Sequence, residues 1–192
     1  MILFTDTETT GIPLFGSPSS SILQPSITEI AAVLDDDEGQ TQMQFSALIK
    51  PDGWTIDVSG EAAYVSGITT DMCEKCGIPL AQALLVFELF VDLADTVIGH
   101  NLGFEYKMFK ISDARAGNGE LRRKFENLQY ADTMHSARKA IKKANLGDVY
   151  ETLFGRKFKD SHRALPDTLA TREVFYELVA RNAIEAKQRE KK

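Results

Sequence analysis

The chain opens on an apolar run, Met1-Ile2-Leu3-Phe4, that turns polar at Thr5 and Asp6. A short run of this kind suits a strand buried at the centre of a sheet. From Gly11 to Ser26 three prolines, two glycines and Ser19-Ser20-Ser21 break every periodicity, which predicts a long flexible loop. Loops of that length inside a compact domain are often functional. Ile27–Asp35 and Gln42–Ile49 read as two strands joined by the polar turn Asp36–Gln40, and Pro51-Asp52-Gly53 closes the second. A short helix is expected over Gly60–Val65. Pro79 fits the first turn of a helix running to Leu93, with Leu80, Leu84, Phe87 and Val91 at helical spacing. Thr96–Gly99 then reads as a strand, a helix follows from Phe104, and Asn127–Ala131 reads as the last strand. Helical segments cover Thr133–Lys143 and Leu146–Phe154. A final helix is expected from Pro166 to about Ala186, before the polar tail Lys187–Lys192. A hairpin of strands followed by alternating helices and strands predicts an α/β domain, residues 1–186, with a mixed sheet flanked by helices.

Composition changes this picture little. The 192 residues, 43% hydrophobic and 26% charged, suit one domain with one core. No run approaches the roughly 20 apolar residues of a membrane span. Asp6 comes too early for a signal peptide, so no membrane partner and a cytoplasmic location are expected. Cys73 and Cys76 form a lone C-x-x-C without the further ligands a zinc site needs, and read as incidental helix residues. The net charge of −6 argues mildly against a dedicated nucleic-acid binder, but not against a site that holds cations.

The candidate chemistry is acidic. In Asp6-Thr7-Glu8-Thr9-Thr10-Gly11 the two acids lie two apart on a strand, so their carboxylates share a face at its C-terminal end. Crowded carboxylates repel unless a cation lies between them, and oxygen donors select hard ions such as Mg²⁺ or Mn²⁺. A solvated strand end would look the same in isolation. In Gly99-His100-Asn101-Leu102-Gly103-Phe104-Glu105 a strand again runs into a helix, with Glu105 in the first turn, where an acid also serves the helix itself. Ser161-His162-Arg163-Ala164-Leu165-Pro166-Asp167 puts Pro166 at a helix start, Asp167 in its first turn and His162 on the loop before it.

Taken in order, D-x-E-T-T-G, H-N-x-x-F-[acid] and H-x-A-x-x-D resemble the DEDDh exonucleases, the family of the bacterial replicative proofreading subunit, ribonuclease T and oligoribonuclease. The likeness runs from Ile2 to about Tyr176 and includes Ile27-Thr28-Glu29-Ile30-Ala31-Ala32-Val33 and Leu153-Phe154-Gly155. It implies a ribonuclease H-like fold: a five-stranded mixed sheet, order 3-2-1-4-5, with strand 2 antiparallel. It also implies two divalent cations, Mg²⁺ or Mn²⁺, held by Asp6, Glu8, Glu105 and Asp167, with Asp6 shared between them. His162 is then the general base toward the attacking water. Two ions ~3.5–4 Å apart can stabilise both the incoming and the departing oxygen.

Two positions depart from the family pattern. The second motif carries Glu105 where the family has Asp, which moves the carboxylate by about 1.5 Å. That longer arm is expected to reach a metal directly and to shift preference toward Mn²⁺. In Val65-Ser66-Gly67-Ile68, bacterial relatives commonly have His-Gly-Ile, so Ser66 bears on how the terminal base is held. Thr9, Thr10, Gly11, Ile12 and Asn101 are the other candidate contacts to a terminal nucleotide. Ile12, Leu14 and Phe15 suit either stacking on bases or folding back onto the core. Arg138, Lys139, Lys142 and Lys143, and separately Arg122, Arg123 and Lys124, form basic clusters that suit phosphates or plain solvated helix faces. Asp132 reads as a helix cap and Asp160 as a turn residue. The expected reaction is removal of nucleoside 5′-monophosphates from the 3′ end of single-stranded DNA, in repair or proofreading. An RNA-trimming enzyme and a catalytically weak scaffold subunit are the alternatives. The expected state is a monomer or homodimer, with a polymerase as a further candidate partner.

Overall fold

The computed structural model describes residues 1–57, 60, 65–117 and 119–187. Its sheet has five strands in the order β3-β2-β1-β4-β5. They are β1 Ile2–Thr9, β2 Ile27–Asp35, β3 Thr41–Leu48, β4 Thr96–Gly99 and β5 Gln129–Asp132. β2 is antiparallel to both neighbours, whereas β1, β4 and β5 run parallel. This is the ribonuclease H-like sheet that the motifs implied.

Alternation along β1 divides the core. Leu3 and Phe4 are both fully buried but face opposite ways. Leu3 packs with Phe87, Phe90, Phe109 and Phe125, and Phe4 with Val174, Phe175 and Leu178. Helices α2 (Leu80–Leu93), α3 (Leu102–Ala116) and α4 (Glu120–Asn127) cover the Leu3 face. Helices α5 (Thr133–Ile141), α6 (Leu146–Phe154) and α7 (Ala164–Ala180) cover the Phe4 face. The short α1 (Thr70–Cys76) lies before them in sequence. Burying one such aromatic side chain contributes about 1.5–3 kcal/mol, so the two layers together hold the sheet between them.

Several boundaries differ from the pattern-based expectation, each for a local reason. Helix α7 starts at Ala164, and Pro166 is its third residue, where a missing N–H costs nothing because first-turn N–H groups have no partner within the helix. It ends at Ala180 rather than Ala186. The chain turns through Asn182, at φ 54°, and Lys187 pairs with Tyr130 on the open edge of β5. Edge pairing and burial of Ile184 outcompete the helix-forming residues there. Helix α4 was not expected, and α1 was expected only as an unbounded helical stretch around Cys73 and Cys76. Thr69 caps α1 by accepting from the Met72 N–H at 3.2 Å, and Asp113 accepts from the Gly119 and Arg122 N–H groups at the start of α4. The cysteine pair lies in the second half of α1; Cys73 is buried, Cys76 exposed, and both are free thiols. The helix expected over Gly60–Val65 falls largely outside the described residues. No helix among the described residues is long and apolar enough to cross a membrane.

Candidate active site

Asp6 and Glu8 lie on β1 in the same alternation as Phe4, so both turn toward the α7 face. Asp167 comes from the first turn of α7, on that same face. One carboxylate oxygen from each of Asp6, Glu8 and Asp167 lies within 4.8 Å of the others. Among the described residues no salt bridge reaches any of the three. Their acidity records the crowding. Burial, then Glu105, Asp167 and Glu8, push the Asp6 carboxyl well above the usual range. Burial and Asp167 raise Glu8 to about 8, and burial raises Asp167 to about 7. Three converging oxygen donors, none in a salt bridge among the described residues, fit a hard divalent ion.

These shifts make a stability prediction. Unfolded carboxylates titrate near pH ~4, so between there and the folded values the folded chain binds more protons than the unfolded chain. Stability of the metal-free protein therefore falls as pH rises across the window from about 4 to about 8. Its Tm is expected to be lower near pH ~8 than near pH ~5.5. At a hundred times its Kd, Mn²⁺ or Mg²⁺ should restore about 2.7 kcal/mol, or roughly 5–10 °C. The gain should shrink at the lower pH, where protons compete for the same oxygens. Thermal melts with and without cation check this, and a Tm indifferent to both variables would contradict it.

Glu105 lies outside this group of three yet is the leading charge acting on Asp6. It is 3% exposed in the first turn of α3, and its carboxylate accepts the Thr7 hydroxyl at 2.7 Å. Thr7 alternates with Asp6 and Glu8, so Glu105 approaches β1 from the Leu3 face while the other acids gather on the Phe4 face. Burial raises Glu105 to about 8 against the opposing pull of the Thr7 hydrogen bonds. Asp132 seats this turn. Its carboxylate accepts from the Asn101, Leu102 and His135 N–H groups, so it caps α5 as expected and α3 as well. Asn101 is left-handed at φ 72° and makes no side-chain cap bond. Fixing the loop thus falls to Asp132, and the Asn101 side chain stays exposed. His100 is structural: Nε2 donates to the Ala144 carbonyl at 2.7 Å and Nδ1 meets the Thr133 hydroxyl at 2.9 Å. Desolvation lowers its pKa, in keeping with a neutral ring.

His162 lies on the exposed turn before α7, at φ 67°. Its backbone N–H donates to both Asp167 oxygens at 3.2 and 3.3 Å, and the two residues line one cavity of about 210 Å³. The next residue shows what pattern reading missed. Arg163 forks onto Glu29 through Nε at 2.9 Å and Nη2 at 2.6 Å, and the Ala164 N–H adds a third bond at 2.9 Å. Glu29 is 4% exposed and sits directly opposite Glu8 in the β1–β2 register. The ion pair therefore anchors the start of α7, and with it Asp167, beside the two β1 carboxylates. A charged residue inside the apolar run Ile27–Val33 was the available signal.

The long loop is held rather than slack. The Gln24 side chain, 4% exposed in all, accepts from the Leu14 N–H and donates to the Leu14, Ser17 and Pro18 carbonyls. Arg115 of α3 donates to the Ser21, Gln24 and Pro25 carbonyls and to the Ser26 hydroxyl. Thr10 and Ser26 close its neck. The Thr9 hydroxyl donates to the Gly11 carbonyl at 2.8 Å. A Cβ on Gly11 would meet no protein atom within 4 Å. Ile12 and Phe15, 76% and 75% exposed, do not fold back onto the core. Ser66 accepts from the Ile68 N–H at 3.2 Å.

Residues 3–175 match the family model described as RNase T, exonuclease. No curated protein matches the chain in sequence. Among solved structures, Escherichia coli exonuclease I in its zinc-bound complex with single-stranded DNA superposes with a TM-score of 0.74 at 18% identity, over 94% of this chain and 40% of that one. The chain thus spans about two fifths of exonuclease I. The nuclease domain of 3′hExo, a DEDDh family member bound to rAMP, superposes with a TM-score of 0.71 at 15% identity, over 98% of this chain and 96% of that one. A 3′-exonuclease that recognises the histone mRNA stem-loop gives 0.68 at 15% identity, over 99% and 85% of the two chains.

Proposed function

The chain belongs to the RNase T exonuclease family, and on that premise we propose that it is a metal-dependent 3′→5′ exonuclease releasing nucleoside 5′-monophosphates from single-stranded ends. The convergence of Asp6, Glu8 and Asp167 carries this reading. These three residues would hold the divalent cations, Mg²⁺ or Mn²⁺, with Asp6 shared between two ions and Glu105 serving the second. When bound, the ions supply Lewis acidity at the scissile phosphate and charge compensation for the departing 3′-oxygen.

The chain's own groups do the rest. His162, on its exposed turn beside Asp167, takes the proton of the attacking water, a role imidazole suits near neutral pH. The new bond joins water oxygen to phosphorus and the P–O3′ bond breaks, so the phosphate leaves on the 5′ carbon of the released nucleotide. Thr9, Thr10, Gly11, Ile12, Ser66 and Asn101 hold that nucleotide. The open space over Gly11 and the exposed Asn101 and Ile12 side chains support this. DNA is favoured as substrate and RNA is the second reading, since relatives bind each. Repair and proofreading are settings such trimming serves, by a monomer or homodimer, alone or beside a polymerase. A scaffold role is disfavoured because the acidic group is intact.

Labelled at the 5′ end, single-stranded DNA, duplex DNA and RNA should be incubated with the protein in Mg²⁺ or Mn²⁺. A descending ladder on single-stranded DNA is expected; a ladder on RNA alone would favour trimming, and none on any polymer would sink the enzyme reading. Glu105→Asp and Glu105→Ala belong in the same experiment. Glu105→Asp should shift relative activity toward Mg²⁺, and Glu105→Ala should lose activity in both. Wild-type rates for Glu105→Ala would remove Glu105 from the site.

A further inference from the structure

We propose that the groove between the Gly11–Ser26 loop and the outer face of α3 carries the phosphate backbone of the single strand upstream of its 3′ end. This rests on the exonuclease reading above and adds a path to it. The groove, about 640 Å³, is lined by Ser17, Ser19 and Ser20 on one side and by Lys107, Lys110 and Arg122 on the other. Lys107 and Lys110 lie three apart on α3 and so share a face, while Arg122 comes from the first turn of α4.

Three observations single this surface out. First, its cations have no salt-bridge partner among the described residues. The consecutive residues Arg122, Arg123 and Lys124 separate in the structure: Arg123 pairs with Glu120, and Lys124 with Glu88 and Asp92. Among the described residues no salt bridge reaches Lys107, Lys110 or Arg122. The one acid on the groove, Asp113, is 4% exposed and turns one oxygen to the Gly119 N–H and the other to the Arg122 N–H. A chain of net charge −6 thus sets three cations without an ion-pair partner against one buried acid along this channel.

Second, both walls begin at the acidic site. The loop leaves β1 directly after Thr9, and α3 carries Glu105 in its first turn. Third, the channel is preformed, because Arg115 and Gln24 fix the loop wall before any ligand arrives. Serine hydroxyls and unpaired lysines contact phosphate without reading bases, as a sequence-indifferent trimming enzyme requires. The basic cluster on α5 is equally free of salt bridges among the described residues, but there the Lys142 ammonium bonds back to the Lys139 carbonyl.

The test compares wild type with a Lys107→Ala/Lys110→Ala/Arg122→Ala variant and an Arg138→Ala/Lys139→Ala control, on an oligonucleotide of about 30 nucleotides and on a dinucleotide. Neutralising three phosphate contacts should raise KM for the long strand about tenfold to a hundredfold at moderate salt and flatten its salt dependence by a log–log slope of about 2. The dinucleotide, too short to enter the groove, should be cleaved at the wild-type rate. An unchanged long-strand KM, or a larger effect from the α5 control, overturns the proposal. Loss on both substrates alike would also overturn it, since the residues would then support the cleavage site itself. Wild type inert on both substrates would instead defeat the underlying exonuclease reading.

Discussion

Asp6→Asn should abolish cleavage and, at the same time, make the metal-free protein more stable. Both effects come from one carboxylate. Asp6 lies within reach of Glu8 and Asp167, and burial together with Glu105, Asp167 and Glu8 holds its acidity far from that of a free side chain. The amide keeps the shape and removes the charge that the cations need. A metal stabilises the reacting phosphate by several kcal/mol, so its loss corresponds to roughly a thousandfold or more in rate. Without metal the same charge is a liability, because Glu105, Asp167, Glu8 and Glu29 all repel it in a desolvated pocket. The Tm of metal-free Asp6→Asn should therefore exceed that of wild type near pH ~8, and the gap should narrow as the pH falls and the raised wild-type carboxyl takes up its proton. Added Mn²⁺ should raise the wild-type Tm and leave the variant nearly unmoved. Turnover within about tenfold of wild type would show that Asp6 holds no catalytic metal.

How much of this could be read without coordinates follows from the range of each interaction. The Asp6–Glu8 pair was legible because a strand's two-residue period places both on one side, and the adjoining apolar run identified the strand. The order of the sheet was implied by the family resemblance that the three motifs carry, and by no single stretch of sequence. Asp167 was placed in a helix's first turn by Pro166, correctly even though the helix begins two residues earlier. What stayed hidden depends on partners far apart in sequence. Nothing local says that Gln24 braces the long loop from within, that Arg115 ties it to α3, or that Asp132 seats the turn bearing Glu105 across 30 residues. The face from which Glu105 reaches β1 is hidden for the same reason: it depends on which layer α3 joins. The premature end of α7 depends on an open strand edge that only the folded sheet presents.

Another distant link, the Arg163–Glu29 ion pair across 134 residues, yields the second large effect. Arg163→Ala should weaken both the fold and the grip on metal, because it leaves Glu29 charged, 5% exposed at its side chain and facing Glu8 with two of its three hydrogen bonds gone. Breaking a fully buried pair costs about 3–5 kcal/mol; Arg163 is 37% exposed, so a cost of about 2–3 kcal/mol fits better. For a chain of this length that is a fall in Tm of roughly 4–12 °C. The catalytic effect is positional. Once the first turn of α7 is released, Asp167 drifts from Asp6 and Glu8, and a displacement of about 1 Å can cost a hundredfold in rate. Adding Glu29→Gln to Arg163→Ala removes the stranded charge, so the double variant should recover part of the Tm. It should not recover the activity, since the anchor is still missing. Arg163→Lys, which keeps the charge but not the fork, should fall between wild type and alanine in both respects. Melts, together with Mn²⁺ titrations of metal-dependent Tm, separate the two effects. Should Arg163→Ala match wild type in stability and in cation response, the pair is a surface ornament, and Asp167 is held by the helix alone.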